Sequence, residues 1–343
     1  MNTFPSEPKY IQFYPTLRCN FSCTFCFNRG IRVEKDIPID DCARVIAFLA
    51  DNGVKEIDIL GGEPTLHPHF VQIVKLIYQK NLKAFISSNG CNVHLLEKIS
   101  QTYEKDQIQI GVSFNHNSVS KELNKYIVTY KPFLKSICSK KQTIPEIHRK
   151  YLRFPDIQYY LLFMDTVCAD DLKTSLTFSE YFQRLTSLKT IYKNVDGVFC
   201  SGFIPDTSKY PVLQYVRCPA GTTKLTVMPD GTVYPCYLFA RHDDFILGNI
   251  LNDDFSRIWN NPILDVFRIF EKNSCINKKC ELFSSCHGGC PAVSLLISGN
   301  INAPDPRCVY RSSCHSRLSG IFLKNQKDCG QAAMTESIMM SPY

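Results

Sequence analysis

Three cysteines lie close together near the amino terminus, in the stretch Cys19-Asn-Phe-Ser-Cys23-Thr-Phe-Cys26. Thiolates at this density bind soft metal centres, namely iron–sulfur clusters, zinc or copper(I). A four-iron cube held by three cysteines keeps one iron without a protein ligand, and an open coordination position is typical of catalytic metal sites. The spacing therefore predicts a cluster with a free iron. The alternatives are a zinc loop that lacks a ligand, or three thiols without a metal.

A second motif, Gly61-Gly62-Glu63-Pro64, follows the strand-like run 56–60 and precedes a helix that we expect to begin near His69. Paired glycines let backbone amides approach a ligand closely, and the Glu63 carboxylate suits an ammonium group. Such strings are common in ordinary turns. This one lies 35 residues after Cys26, on the second strand of a β/α series, and that position makes it a strong indication of a binding site.

Together these motifs resemble those of the radical S-adenosylmethionine (AdoMet) enzymes. In that family C-x3-C-x2-C holds a [4Fe-4S] cluster, and the amino and carboxylate groups of AdoMet bind its free iron. An aromatic residue usually precedes the third cysteine, and Phe25 occupies that place here. The resemblance implies that Glu63 contacts the AdoMet amino group. It also implies reductive cleavage of AdoMet to a 5′-deoxyadenosyl radical, which removes a hydrogen atom from the substrate.

Two later strands end in small polar residues, which are well placed to contact a bound sugar or carboxylate in an α/β fold. Family members often have Ser-x-Asp at the end of the fourth strand, but Asn115 replaces the aspartate here, so we assign no acid–base role to it. The AdoMet contacts implied by the resemblance are Phe25, Gly61, Gly62, Glu63, Pro64, Ser87, Asn89 and Ser113.

The first 205 residues alternate apolar β-prone runs with amphipathic segments, which is typical of βαβ units and a parallel sheet. The predicted strands span 10–14, 56–60, 83–88, 108–114, 157–163 and 197–203. Residues 118–153 are predicted to be mostly helical and basic. Six such units fit the partial (β/α)6 TIM-like barrel of the family. We therefore expect an α/β radical SAM core domain over residues 1–205, with the chemistry at the carboxyl ends of the strands.

The pattern changes after residue 205, where two groups of cysteines appear, Cys218-x12-Gly231-x4-Cys236 and Cys275-x4-Cys280-x5-Cys286-x3-Cys290. The first group surrounds a predicted hairpin, Lys224 to Tyr237, with its turn at Pro229-Asp230-Gly231. Four close cysteines are also the signature of a zinc knuckle, but two separated cysteine groups exceed what one zinc needs. The arrangement resembles the SPASM extension of radical AdoMet enzymes. It departs from the family at one place, because the usual C-x2-C is C-x4-C between Cys275 and Cys280.

The SPASM resemblance implies two auxiliary [4Fe-4S] clusters. Cys218, Cys236 and Cys290 would hold the first, with Cys200, a substrate group or nothing as the fourth ligand. The second would be held by Cys275, Cys280, Cys286 and Cys308, with Cys314 as an alternative to Cys308. We expect the SPASM domain to span residues 206–318, followed by a carboxyl-terminal tail over 319–343.

Composition limits where the protein works. Its 343 residues are 44% hydrophobic, no run is long enough to span a membrane, and the amino terminus lacks a signal peptide. Seventeen cysteines without an export signal favour metal binding over disulfides, so we expect a cytoplasmic protein. The net charge of +7 comes without a nucleic-acid motif, and we expect no nucleic-acid partner.

SPASM members of the family mostly modify peptides or proteins, so the favoured hypothesis is a maturase of a ribosomally made peptide or protein, which forms a thioether or other crosslink or carries out an oxidation. A flavodoxin- or ferredoxin-type donor would supply electrons. Only nine residues precede the first strand, so a leader peptide would need a separate binding protein or recognition near the pocket. The alternatives are tailoring of a haem-like tetrapyrrole and, outside enzymes, a non-catalytic iron–sulfur or zinc-binding scaffold.

Overall fold

The computed structural model describes residues 8–31, 35–113, 115, 118–141, 143–198, 218–268 and 289–308. Among these, no helix is both long and apolar enough to cross a bilayer. The strands are β1 (Tyr10–Phe13), β2 (Glu56–Ile59), β3 (Lys83–Ser88), β4 (Ile108–Ser113), β5 (Phe133–Cys138), β6 (Tyr159–Phe163), β7 (Val195–Val198), β8 (Lys224–Val227), β9 (Thr232–Tyr234) and β10 (Gly248–Asn249). The helices are α1 (Ile39–Asp51), α2 (Phe70–Gln79), α3 (Val93–Thr102), α4 (Lys121–Tyr130), α5 (Glu146–Arg149), α6 (Phe178–Ile191), α7 (Phe255–Trp259), α8 (Asp265–Arg268) and α9 (Pro291–Ser298).

One sheet organises the described chain, with the strand order β10-β9-β8-β1-β2-β3-β4-β5-β6-β7. Strands β1 to β7 are parallel to their neighbours, and β8 lies parallel to β1 on the other side. The order is linear, so within the described residues the sheet forms an open, partial barrel. The predicted α/β class is confirmed.

Helix α1 shows why these segments fold as predicted. Pro38 precedes its first turn, where Asp40 and Asp41 interact favourably with the helix dipole. Cys42 is buried with Val45, Ile46 and Leu49 against the sheet, as the spacing of the apolar residues predicts. Cys42 is therefore a core residue and not a candidate ligand.

The expectation that residues 118–153 are mostly helical is wrong. Strand β5 occupies Phe133–Cys138 between α4 and the short helix α5, and it pairs in parallel with both β4 and β6. Basic residues around this run obscured it, because Lys135, followed by Ser136, interrupts the apolar pattern of the strand. The parallel series from β1 to β7 therefore has seven strands rather than six.

The two faces of the sheet differ in character because successive side chains of a strand alternate between them. Ile11 and Ile57, which are register partners on β1 and β2, lie on the face that packs against helices. The opposite face carries buried polar groups. Tyr10 donates from its hydroxyl to Asp58 Oδ2 at 2.6 Å, and Thr226 donates to Gln12 Oε1 at 3.1 Å. This polar face is the inner surface of the partial barrel.

The predicted hairpin consists of β8 and β9, which pair antiparallel. Gly231 has a φ of +83° in the turn, a conformation that favours glycine. Because β8 also pairs with β1, the hairpin extends the same sheet instead of forming a separate one. The hairpin, with Cys236 two residues after β9, therefore lies beside the strand that leads into Cys19.

Candidate functional site

The three amino-terminal cysteines lie in the loop that follows β1, which we call the cluster loop (residues 15–31). Cys19 is exposed, and Cys23 and Cys26 are partly buried. Burial raises the pKa of the Cys23 thiol, and the negative charges of Cys26 and Cys19 raise it further. The three sulfurs are thus near enough to repel one another as thiolates, a repulsion that a bound metal cluster would remove.

Among the described residues, no three His, Cys, Asp or Glu side chains converge closely enough to hold a single metal ion. Each cysteine of a four-iron cube bonds a different iron, so its ligands need not converge as those of one zinc ion do. Three thiols on one loop, with mutual electrostatic influence, fit a cube better than a mononuclear site.

The turn that carries Gly61 and Gly62 is joined directly to the start of the cluster loop. Gly62 donates its N–H to Thr16 O at 3.1 Å, and Glu63 donates to Arg18 O at 2.8 Å. A Cβ on Gly61 would lie 2.1 Å from Thr16 O, and one on Gly62 would lie 2.2 Å from Arg18 O. Both positions require glycine because the cluster loop passes against them, a reason that the sequence motif did not reveal.

Glu63 lies under this turn, only 1% exposed. Its Oε1 accepts hydrogen bonds from Thr65 N, Thr65 Oγ1 and Ser88 Oγ at 3.1, 2.6 and 2.8 Å. Its Oε2 accepts one bond, from Asn89 N at 2.6 Å. Burial raises the pKa of Glu63, and these donors oppose the rise. Since each carboxylate oxygen accepts about two hydrogen bonds, Oε2 is the oxygen with capacity for an ammonium group.

The other predicted AdoMet contacts lie around the same edge of the sheet. Asn89 donates from Nδ2 to Asn20 Oδ1 at 2.9 Å and lies 4.0 Å from Cys19 Sγ, so β3 ends beside the cluster loop. Pro64 begins a short 3-10 helix, and Phe25 lies half-buried in the loop. Ser87 and Ser113 occupy the ends of β3 and β4. The structure brings these residues to one place, and their contact with AdoMet stays a prediction.

Lys135 is a site residue that sequence reasoning missed. It is 2% exposed and donates from Nζ to Ser87 Oγ at 2.7 Å. Its strand partner is Ser113, so the lysine lies between two predicted AdoMet contacts. Burial lowers its pKa to about 8, while Asp58 opposes the decrease. A lysine inside a β-prone run was the available signal.

Two arginines hold the cluster loop in place, and the sequence gave no indication of either. Arg29 donates from Nε to Cys26 O at 3.0 Å and from Nη1 to Thr24 O. Arg241, five residues after Cys236, donates from Nη2 to Arg29 O at 2.7 Å and to Phe27 O. Backbone carbonyls that the loop cannot satisfy within regular structure thus receive charged donors.

Four of the predicted auxiliary ligands lie in described parts of the chain. Cys236 is buried, and Cys218, Cys290 and Cys308 are partly buried. Cys290 and Cys308 are linked through Asp305, which accepts from Cys290 N at 2.7 Å through Oδ2 and from Cys308 N at 3.0 Å through its carbonyl. The other predicted ligands lie outside the described residues: Cys200, Cys275, Cys280, Cys286 and Cys314.

Comparison with known families identifies the chain. The radical SAM superfamily model matches residues 13–141, and an iron–sulfur cluster-binding domain model, SPASM, matches residues 218–291. The chain belongs to the radical SAM superfamily and carries a SPASM domain. Radical SAM and SPASM domains imply AdoMet, a [4Fe-4S] cluster and auxiliary iron–sulfur clusters as cofactors, and the residues described above fit this set.

Curated relatives of this radical SAM protein match over most of its length. It is 26% identical over 318 residues to the antilisterial bacteriocin subtilosin biosynthesis protein AlbA of Bacillus subtilis, a match that covers 84% of this chain and 68% of AlbA. It is 23% identical over 330 residues to the mycofactocin maturase MftC of Mycobacterium tuberculosis, over 87% of this chain and 82% of MftC.

A solved structure gives the same fold. Streptococcus suis SuiB bound to its precursor peptide SuiA superposes with a TM-score of 0.65 at 19% identity, covering 89% of this chain and 77% of SuiB. At this identity the likeness shows the fold alone. It supports the barrel and SPASM architecture expected from the sequence.

Proposed function

We propose that this protein is a radical SAM maturase that removes a hydrogen atom from a ribosomally made peptide or protein and thereby installs a crosslink or an oxidation. The observation that carries the proposal is the direct pairing of the cluster loop with the Gly61–Glu63 turn, which brings three thiols and an ammonium-accepting carboxylate to one edge of the barrel. Relatives named for bacteriocin and mycofactocin maturation favour a peptide over a tetrapyrrole as the substrate.

When bound, the reduced cluster and AdoMet supply one-electron chemistry that generates a hydrogen-abstracting radical. The protein's own part is to position and to shield. Glu63 Oε2 would accept a hydrogen bond from the amino group of AdoMet, and Ser87, Asn89 and Ser113 would contact its polar parts. Lys135 provides a cation beside Ser87 and Ser113. The buried inner face of the sheet, with Tyr10 paired to Asp58, excludes bulk water from the radical.

We further propose the division into a core domain over residues 1–205, a SPASM domain over 206–318 and a tail over 319–343. Within it, Cys19, Cys23 and Cys26 hold the catalytic cluster. Cys218, Cys236 and Cys290 hold the first auxiliary cluster, and Cys275, Cys280, Cys286 and Cys308 hold the second. Iron and sulfide analysis of single-cysteine variants, compared with the core variant Cys42→Ala, tests each assignment.

A flavodoxin- or ferredoxin-type donor is the proposed source of electrons, and a separate leader-binding protein is a proposed partner. Held by these cysteines, the auxiliary clusters would supply an electron acceptor for the substrate radical, and the proposed net reaction is therefore oxidative with respect to the peptide. A cytoplasmic location stays a prediction from the cysteine content.

The test uses anaerobically reconstituted protein with AdoMet, dithionite and candidate peptides encoded near its gene. We expect 5′-deoxyadenosine to form in proportion to modified peptide, detected as a mass loss by mass spectrometry. Cleavage that stays uncoupled with every peptide but couples to a haem-like tetrapyrrole would contradict the peptide assignment and leave the radical chemistry standing.

A further inference from the structure

The segment that leaves β6 contacts three separate parts of the chain that carry predicted cluster ligands. We call Met164–Asp171 the β6 exit segment. It lies at the carboxyl end of a barrel strand and contains Asp165 and Asp171, which are 5% exposed each. The segment contains no recognisable sequence motif, and the proposed function assigns it no role.

Its first contact is with the cluster loop. Arg29, three residues after Cys26, donates from Nη2 to Asp171 Oδ1 and Oδ2 at 2.7 and 2.6 Å. The same Asp171 carboxylate accepts from Val167 N at 2.8 Å and from Cys168 N at 3.3 Å. Since Arg29 also binds Cys26 O, one ion pair joins the predicted catalytic cluster site to the exit segment.

Its second contact is with the residue after Cys236. Tyr237 donates from its hydroxyl to Asp165 Oδ2 at 2.6 Å, and both side chains are buried. The Tyr237 ring also packs on Phe27 of the cluster loop, with 4.5 Å between ring centroids. A predicted ligand of the first auxiliary cluster is thus tied to both the exit segment and the cluster loop.

Its third contact is with the residue before Cys308. Arg307 donates from Nη1 to Met164 O at 2.9 Å, and its guanidinium lies 4.4 Å from the centroid of the Phe163 ring. Arg307 also forms a buried ion pair with Asp305 at 2.8 Å, the residue that receives Cys290 N. The exit segment therefore reaches predicted ligands of both auxiliary clusters.

We propose that the β6 exit segment is the common scaffold that fixes the three predicted cluster sites relative to one another, with Asp171, Asp165 and Arg307 as positioning residues. Satisfied polar contacts make a network rigid and specify one arrangement, and here three such contacts, one partly buried and two buried, converge on eight residues. Electron exchange between clusters depends on their separation, so this segment sets how readily they communicate. The proposal rests on the ligand assignments of the proposed function.

The chain offers a matched pair of variants for the test. Asp171→Asn removes the negative charge from the partly buried pair with Arg29, whereas Asp170→Asn removes it from an exposed pair with Lys173, in which both side chains are 79% exposed. Tyr237→Phe removes only the hydroxyl that binds Asp165. Iron and sulfide per chain, the midpoint potential of each cluster and the spin-relaxation coupling between reduced clusters are measured by electron paramagnetic resonance on the anaerobic holoprotein.

We expect wild type and Asp170→Asn to hold about twelve irons, as three cubes require, with identical coupling. Asp171→Asn should lose iron from the catalytic site, about four per chain, or shift its potential, and should also change the signals of the auxiliary clusters. Tyr237→Phe should keep all the iron but alter the coupling between the catalytic and first auxiliary clusters.

Equal spectra for Asp171→Asn, Tyr237→Phe and Asp170→Asn would overturn the scaffold proposal while leaving the ligand assignments intact. Effects confined to the nearest cluster would overturn it as well. If wild type itself never holds three clusters, the ligand assignments are wrong, and the scaffold proposal falls with them. Tyr237→Phe keeps the test decisive should Asp171→Asn fail to fold, which far-ultraviolet circular dichroism would reveal.

Discussion

Replacing Glu63 with glutamine changes one heavy atom of the side chain and should destabilise the fold. Three donors point at Oε1 and one backbone N–H points at Oε2. Whichever way the amide is turned, its NH2 group faces a donor. The lesser conflict is at Oε2, where the N–H of Asn89 loses its acceptor, at about 1–3 kcal/mol. The three remaining bonds become neutral, and each weakens by roughly 1 kcal/mol.

Relief of the buried negative charge offsets part of this loss, because burial raises the pKa of Glu63. The net destabilisation of Glu63→Gln should be about 2–3 kcal/mol. The loss of a charged acceptor at Oε2 should also weaken AdoMet binding by about tenfold to a hundredfold. Urea denaturation gives the first quantity. Equilibrium binding of AdoMet to the reconstituted protein gives the second.

The control is Glu56→Gln, at the start of β2, the strand that leads into this turn, and half-exposed, for which the change should stay within about 0.5 kcal/mol. If Glu63→Gln is as stable as wild type and binds AdoMet equally well, the hydrogen-bond network described here does not hold the turn. Loss of stability with unchanged AdoMet affinity would leave Glu63 a purely structural residue.

Two further outcomes follow from the geometry. The pKa of Lys135 is about 8 in the folded protein and about 10.4 in the unfolded protein, so the charged form of the lysine destabilises the fold. This destabilisation is on the order of 3 kcal/mol. It is fully present below pH 8 and disappears as the pH rises towards 10.4. Lys135→Met should remove that rise in unfolding free energy between pH 7 and 10, and an unchanged slope in denaturation experiments would contradict the buried charge. Gly62→Ala, whose Cβ would lie 2.2 Å from Arg18 O, should lower the free energy of unfolding by about 2–4 kcal/mol and reduce the iron bound by the cluster loop. In the control Gly30→Ala, the new Cβ has nothing within 4 Å but the residue has a φ of +77°, so the free energy of unfolding should fall by only about 1 kcal/mol. Thermal unfolding and iron analysis compare the two variants.

The sequence predicted those parts of the fold that obey a clear period. The predicted bounds of strands β1 to β4 and the predicted start of helix α2 agree with the structure within a residue or two, because runs of apolar residues are local signals. Strand β5 was missed because Lys135 breaks its apolar pattern. What makes a lysine acceptable there is a hydrogen bond to Ser87 on a strand two positions away, and no local pattern contains that information.

The candidate site likewise contains features that local sequence patterns predict and features that they do not. The spacing of Cys19, Cys23 and Cys26 predicts a cluster with a free iron because ligand spacing is a local property. The residues that hold the cluster loop bind backbone carbonyls, which leave no trace in a sequence: Arg29 binds two carbonyls of its own loop, and Arg241 binds two that are more than 200 residues away in the chain. The glycines of the turn were noticed for a different reason from the one that the structure shows, which is the close passage of Thr16 and Arg18.

The central claim is that the cluster loop holds a cubane whose free iron binds AdoMet. The most direct measurement compares wild type with the Cys19, Cys23 and Cys26 triple alanine variant, both reconstituted anaerobically and incubated with AdoMet and dithionite. We expect wild type to release 5′-deoxyadenosine, and the variant to release none while it keeps the iron of its other sites. Equal release by the variant, or none by an iron-loaded wild type, would contradict the account.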